Sequence, residues 1–435
     1  MSDLPEEVLF DIFARLPVKT ALQIRCVCKL WLSLISNPVF ITAHINRTTQ
    51  PQSETLLIRH FAEKERHQNE HYSLHDFHQT VGGHVLKLEF PFKTWSRYHF
   101  SIVSSYNGVL CLSDHNGASA NGVILWNPSI RKYISLPRPR VTRSTHGSYM
   151  FVLGFGFDVK SNDYKVVRVA YVKGRNGRDL IPPEVEVYGL SSKCWRSFAA
   201  GAPPYGIYGY TWSQAFVNGA VHWIGYDPCV ANGDCSLIVS FDMGDEVFKG
   251  VKLPDCLVKC GYDLAVSKYE ELLSVMQMVY HSKRARCCVW VMKEYGVEDS
   301  WTKLYTVDLQ DGLHKVLGFW KNKEVLTVTV RGKLVSYDPN SGRMRSMGLR
   351  GAIDSFYADN YIESLVLVDG ESIVLGADAI TCGGGEEDGE TLHLTGFKNR
   401  MGCVTVNGAA GFEPLSLLAG LRLKLWKNVL VLVEN

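Results

Sequence analysis

The chain of 435 residues has no excess of charge of either sign, since 46 lysines and arginines stand against 44 aspartates and glutamates. A protein that binds the phosphate backbone of nucleic acid usually carries a clear basic excess, so this balance argues against that class. The hydrophobic fraction of 46% and the charged fraction of 21% also exclude a disordered chain. We therefore expect a folded protein with no nucleic acid among its partners.

A long uninterrupted apolar run is also missing. The most apolar segment, 415–433, contains Arg422, Lys424 and Lys427, and a charge near the centre of a spanning helix costs roughly 2.5–3.5 kcal/mol. The first residues, Met1-Ser2-Asp3-Leu4-Pro5-Glu6-Glu7, are acidic and do not resemble a secretory leader. The sequence predicts no membrane partner and a location in the cytoplasm, the nucleus or both.

Metal-binding spacings are absent among the cysteines. The 12 cysteines are scattered, and the close pairs Cys26/Cys28, Cys256/Cys260 and Cys287/Cys288 lack the Cys-x-x-Cys or Cys–His spacing of a zinc site. Five histidines, at 60, 67, 71, 75 and 78, fall in a charged stretch that we expect to be a solvated loop. We predict no metal site.

Motifs for cofactor binding and catalysis are missing as well. Gly154-Phe155-Gly156 lacks the third glycine of a dinucleotide-binding turn, and strand-like residues follow it where a helix should begin. No nucleophile elbow, Ser-x-x-Lys or His-Glu-x-x-His motif occurs at a suitable junction. We therefore expect no cofactor and no catalytic residue.

The first 45 residues have a helical pattern. One apolar face is predicted from Val8 to Leu16, Pro17 ends that helix, and a second helix is predicted to begin after Thr20. A short third element follows Asn37-Pro38. In this segment 25 of the 42 residues from Leu4 to Ile45 are apolar, more than three short helices can bury among themselves. The excess must cover either a partner or the rest of the chain.

After about residue 50 the pattern becomes that of strands with a repeat. Turn-plus-strand units begin at Asn107, Asn162, Asn218, Tyr269 and Asn322, about 51–56 residues apart. This spacing is close to the period of about 50 residues in kelch-type propellers. Early strands at 55–60 and 85–90 are predicted to pair with Ile362–Val368 and close the ring. Six blades are favoured, with five and seven as alternatives, and Trp126, Trp223, Trp290 and Trp301 are expected to pack in the core.

The N-terminal segment closely resembles an F-box. The resemblance rests on the Leu4-Pro5 start, on Leu16-Pro17-Val18-Lys19, and on Arg25-Cys26-Val27-Cys28-Lys29 followed by Trp31. It implies docking onto a Skp-type adaptor and, through it, onto the cullin and RING subunits of a ubiquitin ligase. Some of the implied adaptor-contacting residues must instead serve the internal core. The set is Leu4, Pro5, Val8, Leu9, Ile12, Leu16, Pro17, Val18, Leu22, Val27, Cys28 and Trp31.

The repeat region resembles the plant F-box-associated (type 1, kelch-related) domain over residues 55–368. Tyr106-Asn107-Gly108, Leu125-Trp126-Asn127-Pro128 and Val217-Asn218-Gly219-Ala220-Val221-His222-Trp223 occur in that family's order. The predicted class is α+β, with a three-helix F-box at 1–46 and a connecting segment with the first strands at 47–100. An all-β kelch-like propeller of about six blades follows at 101–370, and an atypical tail at 371–435.

Three functions remain open from the sequence. In the first, the chain is the non-catalytic substrate receptor of an SCF (Skp–cullin–F-box) ubiquitin ligase with an unknown protein target. Its candidate target-binding loops are Arg138–Tyr149, Gly174–Pro183, Gly201–Trp212 and Pro228–Cys235. The alternatives are a propeller enzyme or small-ligand or glycan-binding protein with a helical cap, and an F-box protein that delivers nothing for ubiquitination. Carboxylates or histidines converging on the channel would favour the enzyme.

Overall fold

The structure is a computed structural model, which describes the following residues: 4–48, 55–62, 70–76, 85–90, 100–114, 122–147, 149–172, 183–198, 203, 205–208, 214–227, 235–281, 284–309, 312–320, 323–367 and 371–372. Of the predicted tail, only the first two residues belong to this part of the chain.

The N-terminal helices number four, not three: α1 (Glu6–Phe13), α2 (Val18–Ile24), α3 (Lys29–Ser36) and α4 (Pro38–Thr48). The predicted second helix is divided because the backbone turns after Ile24 and is extended at Cys28, with φ −158° and ψ 166°. Thr20 lies inside α2 and caps nothing; Pro17 precedes the helix, as its fixed φ allows. The prediction that Asn37-Pro38 separates two helices is confirmed.

Strands make up most of the remaining described chain. In chain order they are β1 (Thr55–Phe61), β2 (Glu70–Asp76), β3 (Val85–Leu88), β4 (Phe100–Tyr106), β5 (Val109–Asp114), β6 (Val123–Asn127), β7 (Lys132–Ser135), β8 (Tyr149–Asp158), β9 (Asp163–Val172), β10 (Glu184–Gly189), β11 (Cys194–Ser197), β12 (Gly206–Ile207), β13 (Ala215–Val217), β14 (Ala220–Tyr226), β15 (Ser236–Asp242), β16 (Phe248–Lys252), β17 (Leu264–Tyr269), β18 (Leu272–His281), β19 (Arg284–Met292), β20 (Trp301–Asp308), β21 (Leu313–Phe319), β22 (Val325–Thr329), β23 (Lys333–Tyr337), β24 (Met344–Arg350), β25 (Tyr357–Tyr361) and β26 (Glu371–Ser372). One short helix, α5 (Arg143–His146), lies between β7 and β8, and 3-10 turns occupy Gly261–Asp263, Glu298–Ser300 and Ile353–Ser355.

These strands form six antiparallel sheets, the blades of a propeller. Blade 1 has the order β25-β1-β2-β3, blade 2 has β4 to β7 with β26 on its outer edge, and blade 3 has β8 to β11. In blade 4, β12 and β13 pair with successive parts of β14, which is followed by β15 and β16. Blade 5 has β17 to β20, and blade 6 has β21 to β24. The innermost strands of neighbouring blades touch all the way round, from β4 through β8 to β25 and back to β4. The prediction of six blades is confirmed.

The ring closes five residues earlier than predicted. The strand that pairs with β1 is Tyr357–Tyr361, with Asp359 opposite Leu57. The residues after it, which we expected to form this strand, are held on blade 2 instead. There the Asn127 side-chain amide donates to the carbonyl oxygens of Ser364 and Val366 at 3.0 and 2.8 Å.

The predicted repeat marks the turn between the first and second strands of blades 2 to 6. In each of these turns one residue has a left-handed backbone: Asn107, Asn162, Asn218, Glu270 and Lys323 have φ between 47° and 65°. Asparagine tolerates this conformation better than most residues, which explains why it recurs at this point of the sequence.

The described part of the histidine-rich stretch is not a solvated loop, because β1 ends in it and β2 runs through it. His60 and His75 are buried on β1 and β2, and His60 stacks on Phe356 with ring centroids 5.4 Å apart. Burial lowers the pKa of each of these two histidines from 6.5 to about 4. His71 is exposed, while His67 and His78 lie outside the described residues.

The propeller core is divided into hydrophobic clusters, one between each pair of neighbouring blades. Trp126 lies at the centre of the cluster between blades 1 and 2, and Trp223 in that between blades 3 and 4. Trp290 and Trp301 pack against the cluster between blades 4 and 5. The tryptophans therefore do pack in the core, as predicted, and every blade is buried on both of its faces.

Candidate functional site

The four helices, which we call the head, have a core of their own. Three of the predicted adaptor-contacting residues, Leu9, Leu16 and Val18, belong to that core and are almost fully buried. Phe13 packs edge-on against Trp31, with ring centroids 4.8 Å apart. These three aliphatic residues hold the helices together and cannot be reached from outside without opening the head.

The other predicted residues are accessible. Leu4 is 50% exposed and Val8 is 41% exposed at the start of α1, and Ile12, one helical turn further on, is half-buried. Residues four apart lie on one side of a helix, so Val8 and Ile12 share a face. Of the rest, Pro5, Pro17 and Cys28 are exposed, and Leu22, Val27 and Trp31 are half-buried. The structure thus separates the predicted set into a buried part and an accessible apolar part.

Three exposed aliphatic residues of the head stand outside the predicted set. Leu30 and Leu32 on α3 are 51% and 41% exposed, and Val39 on α4 is 66% exposed. Leu30 and Leu32 contribute to the apolar excess in the sequence, but the family motif does not include them. The apolar excess of the N-terminal segment was the only sequence feature that could have indicated them.

Polar contacts fix the head's helices relative to one another. Asp11 on α1 accepts hydrogen bonds from Arg47 on α4 and from Arg15, and these arginines, Arg47 first, lower the pKa of the Asp11 carboxyl. The His44 ring nitrogen Nε2 lies 2.8 Å from the carbonyl oxygen of Leu16, and burial lowers the pKa of His44. The first and last helices are therefore tied together around the core.

One side of the head is seated on the propeller through α4. Ile45 is buried in the cluster between blades 2 and 3, together with Val366 and Leu367 from the segment after β25. Thr42 Oγ1 lies 3.2 Å from Asn162 Oδ1, in the turn between β8 and β9. The propeller therefore covers only part of the head's apolar excess; Leu4, Val8, Leu30 and Leu32 stay uncovered.

The head occupies the end of the propeller where first and second strands of a blade meet, since Asn107 and Asn162 lie in such turns. The four loops predicted to bind a target either join the second and third strands of a blade or join one blade to the next. Because antiparallel strands alternate in direction, the strand ends that these loops join lie at the opposite end. Much of them, including 174–182, 209–213 and 228–234, lies outside the described residues.

The innermost strands show no concentration of catalytic groups. Within their described residues, the carboxylates are those of Asp158 and Asp359, and the histidine is His314, whose Nε2 lies 3.4 Å from Asp354 Oδ1 in the 3-10 turn before β25. Asp158 is engaged by Lys165 at 2.8 Å. Asp359 accepts the Tyr357 hydroxyl at 3.0 Å, and burial raises its pKa to about 6. The two carboxylates serve local contacts, so this part of the channel does not favour the enzyme alternative.

Metal ligation finds no support either. In the part of the chain that the structure describes, no group of three or more His, Cys, Asp or Glu side chains could hold a metal ion. The cysteines there are free thiols, and burial raises the pKa of Cys287 to about 12. None of the described helices is both long and apolar enough to cross a membrane.

Comparison with known proteins gives a consistent result. A model of the F-box domain matches residues 1–42, and a model of the F-box associated beta propeller domain matches residues 65–364. F-box protein At3g07870 of Arabidopsis thaliana is 29% identical over 395 residues, which is 82% of this chain and 90% of that protein. F-box protein CPR1 of the same plant is 27% identical over 390 residues, which is 84% of this chain and 89% of that protein. Among solved structures, TolB from Acinetobacter baumannii aligns with a TM-score of 0.41 and 11% identity, covering 74% of this chain and 72% of TolB.

Proposed function

Because the chain belongs to the F-box proteins that carry an F-box associated β-propeller domain, we propose that it is the substrate-recognition subunit of an SCF ubiquitin ligase. The head binds a Skp-type adaptor, which joins it to the cullin and RING subunits, and the propeller binds a protein target. The chain itself contributes no chemistry. Its role is to raise the local concentration of a target lysine near the activated ubiquitin. We expect this in the cytoplasm, the nucleus or both.

The observation that carries this proposal is the accessible apolar surface of the head. Leu4 lies just before α1, Val8 lies on α1, and Leu30 and Leu32 lie on α3, all of them well exposed. Fully burying such a side chain contributes about 1.5–3 kcal/mol, and association costs about 4–15 kcal/mol. Several of these side chains must therefore be buried together, which a preformed groove on an adaptor would achieve.

The propeller's contribution follows from its shape. The head is seated at one end, through Ile45 and Thr42, while the loops between blades 2, 3 and 4 lie at the other. A target bound to those loops would not compete with the adaptor for space. This separation supports a receptor that holds both proteins at once.

The direct test is co-elution of the full chain with a recombinant Skp adaptor on size exclusion. Leu4→Asp with Val8→Asp places one charge just before α1 and one on its exposed side, so we expect the complex to be lost. Leu9→Asp is unsuitable because Leu9 is in the core of the head, and its loss would report unfolding. Val159→Asp is the matched control, since Val159 is 76% exposed in the turn between β8 and β9.

Unchanged co-elution of the Leu4/Val8 variant would reject adaptor docking through this surface. Delivery of a target is tested separately, by proximity labelling in cells with the proteasome blocked. Proteins labelled by the unmodified chain should accumulate ubiquitin, and the Leu4/Val8 variant should label them without that accumulation. Labelled proteins with equal ubiquitin in both would indicate an F-box protein that delivers nothing.

A further inference from the structure

A fully buried ion pair interrupts the apolar surface that blade 3 turns toward blade 2. Arg168 on β9 and Glu186 on β10 are direct cross-strand partners, and Arg168 Nη1 lies 2.7 Å from Glu186 Oε2. Each of the two residues is only 1% exposed. Val166 and Ala170, two residues before and after Arg168 and therefore on the same face of β9, are buried and apolar. The pair thus occupies positions at which its neighbours are apolar.

The stability of the fold does not account for this pair. Removing two charges from water costs about as much as their attraction returns, and apolar residues of similar volume often replace such a pair without loss of stability. The Arg168 guanidinium lies over the ring of Phe151 at 4.6 Å, which offsets part of this cost. Its Nη2, however, has no hydrogen-bond acceptor among the described residues. The remaining contacts of the two side chains therefore indicate the role of the pair.

The second carboxylate oxygen of Glu186 holds the backbone of the segment that joins blade 2 to blade 3. The amide of Arg140 donates to Glu186 Oε1 at 2.6 Å. Nearby, Trp195 Nε1 donates to the carbonyl oxygen of Pro137 at 2.7 Å, and Val141 is buried in a small cluster against β9. Blade 3 therefore fixes this part of the segment at three points.

The rest of this segment, which spans 136–147 and includes α5, is a closed turn. Thr145 Oγ1 donates to the carbonyl oxygen of Arg140 at 3.0 Å, and the amide of Thr142 donates to Thr145 Oγ1 at 2.9 Å. None of the side chains described in 142–147 is buried, so the turn adds no side chain to the core. It follows strand ends that face away from the head, where we expect the target to bind. A conformation fixed in this way without benefit to the core indicates a function.

We propose that Arg168 and Glu186 are positioning residues for target recognition, which hold the 136–147 segment in the conformation in which α5 contacts the target protein; this rests on the proposed function. Both side chains are buried, so they act through the Arg140 amide and not by touching the target. A segment that is already ordered loses less conformational entropy on binding than a loop that must be fixed at that moment. We expect a polar segment of the target to bind the described exposed side chains of α5, which are hydrogen-bonding groups. They are Ser144, Thr145 and His146.

The test separates the stability of the propeller from the position of the segment. Melting temperature and hydrogen exchange are measured on the full chain in complex with its adaptor, and target contact is measured by proximity labelling in cells. Arg168→Met with Glu186→Leu replaces the pair by apolar side chains and removes the acceptor of the Arg140 amide. The melting temperature of this variant should be unchanged or higher, yet exchange of the Arg140 amide should be at least about tenfold faster. Labelling of the proteins that the unmodified chain labels should be largely lost.

Glu186→Gln is the reciprocal variant. It keeps an oxygen that can accept the Arg140 amide but leaves the Arg168 charge buried without a counter-ion, so its melting temperature should fall while labelling persists. A purely structural role would instead make labelling follow stability in both variants. The matched control is Arg59→Met with Glu70→Leu, which removes another largely buried pair, 3.1 Å apart on blade 1, and should leave labelling unchanged.

Unchanged labelling by the variant with the apolar pair would overturn the proposal, as would an equal loss of labelling by the control. Loss of labelling by Glu186→Gln at a temperature at which that variant remains folded would overturn it too. Co-elution with the adaptor, measured on the same samples, reports on the proposed function separately. If the unmodified chain elutes with the adaptor but labels no protein, the proposed target binding fails, and this proposal fails with it.

Discussion

The head and the propeller solve the problem of burying apolar surface in different ways. In the propeller each blade is covered on both faces by its neighbours, and the ring closes through β25 and β1. In the head four short helices bury only part of their apolar side chains, and the propeller covers one side through Ile45. A closed ring is complete by itself, whereas an open bundle of this size needs a partner.

The largest effect on stability should come from a cavity in the core of the propeller. Trp126→Ala removes a fully buried side chain that packs edge-on against Tyr72 and Phe90, at 5.2 and 5.5 Å between ring centroids. We expect a loss of about 3–5 kcal/mol in the free energy of unfolding, measured by urea denaturation. Trp31→Ala in the head removes a half-buried ring and should cost clearly less.

Trp126→Phe is the control for this comparison. It keeps most of the apolar volume and removes an indole NH for which the described residues supply no acceptor. Its cost should therefore be well below that of Trp126→Ala. Equal losses for Trp31→Ala and Trp126→Ala would show that the head is as tightly packed as the ring.

Acid should lower the stability of the propeller more than that of the head. Burial lowers the pKa of His60, His75 and His222 in the propeller from 6.5 to about 4, and it also lowers the pKa of His44 in the head, so the unfolded chain binds protons more readily than the folded one. The stability of the propeller should therefore fall as the pH drops from about 6.5 to about 4. The neighbouring charges of Arg59 and His71 act in the same direction on His60.

Urea midpoints between neutral pH and about pH 4 would measure this effect. His60→Gln should reduce the difference between the two ends of that range, and His146→Gln, at an exposed position on α5, should not. A propeller whose midpoint does not change over this range would show that these histidines titrate normally.

A smaller effect on stability is expected where α4 of the head packs on the propeller. Ile45→Ala removes buried volume from the cluster that α4 shares with Val366 and Leu367, at a cost of about 2–3 kcal/mol. The propeller should keep its own melting transition, while the segment after α4 becomes more sensitive to protease. Thr42→Val, which removes the exposed contacts of the Thr42 hydroxyl with the Pro38 carbonyl oxygen and with Asn162, should cost about 0.5–1.5 kcal/mol.

The repeat and the motifs could be predicted from the sequence because local chemistry determines them. Asn107, Asn162 and Asn218 mark turns that need a left-handed residue, and their spacing gives the blades. The break between α2 and α3 was missed because Arg25–Cys28 contains neither proline nor glycine. The closing strand was misplaced because 362–367 is the more apolar run, whereas 357–361 contains Asp359 and Asn360. The Asn127 contacts, which hold 364 and 366 on blade 2, are not visible in the sequence.

Within the candidate site, the sequence could identify the helix face but not the depth of each side chain. Val8 and Leu9 are neighbours of the same chemical type, yet one is exposed and the other buried. That difference depends on α3 and α4 packing against α1, through Trp31 on Phe13 and Phe40 on Phe10, which no local pattern records. His75 was misread because its burial depends on β2 lying between β1 and β3, where His75 pairs with Leu56 and Val85.

The segment that seats the head also sets an order of events during synthesis. Val366 and Leu367, which pack with Ile45, immediately follow the strand that completes blade 1. A chain still on the ribosome can therefore fold its four helices early, but the surface of blades 2 and 3 that receives them stays incomplete until Val366 and Leu367 have been made. Release of a truncated product would leave helices able to engage an adaptor with no aligned receptor behind them.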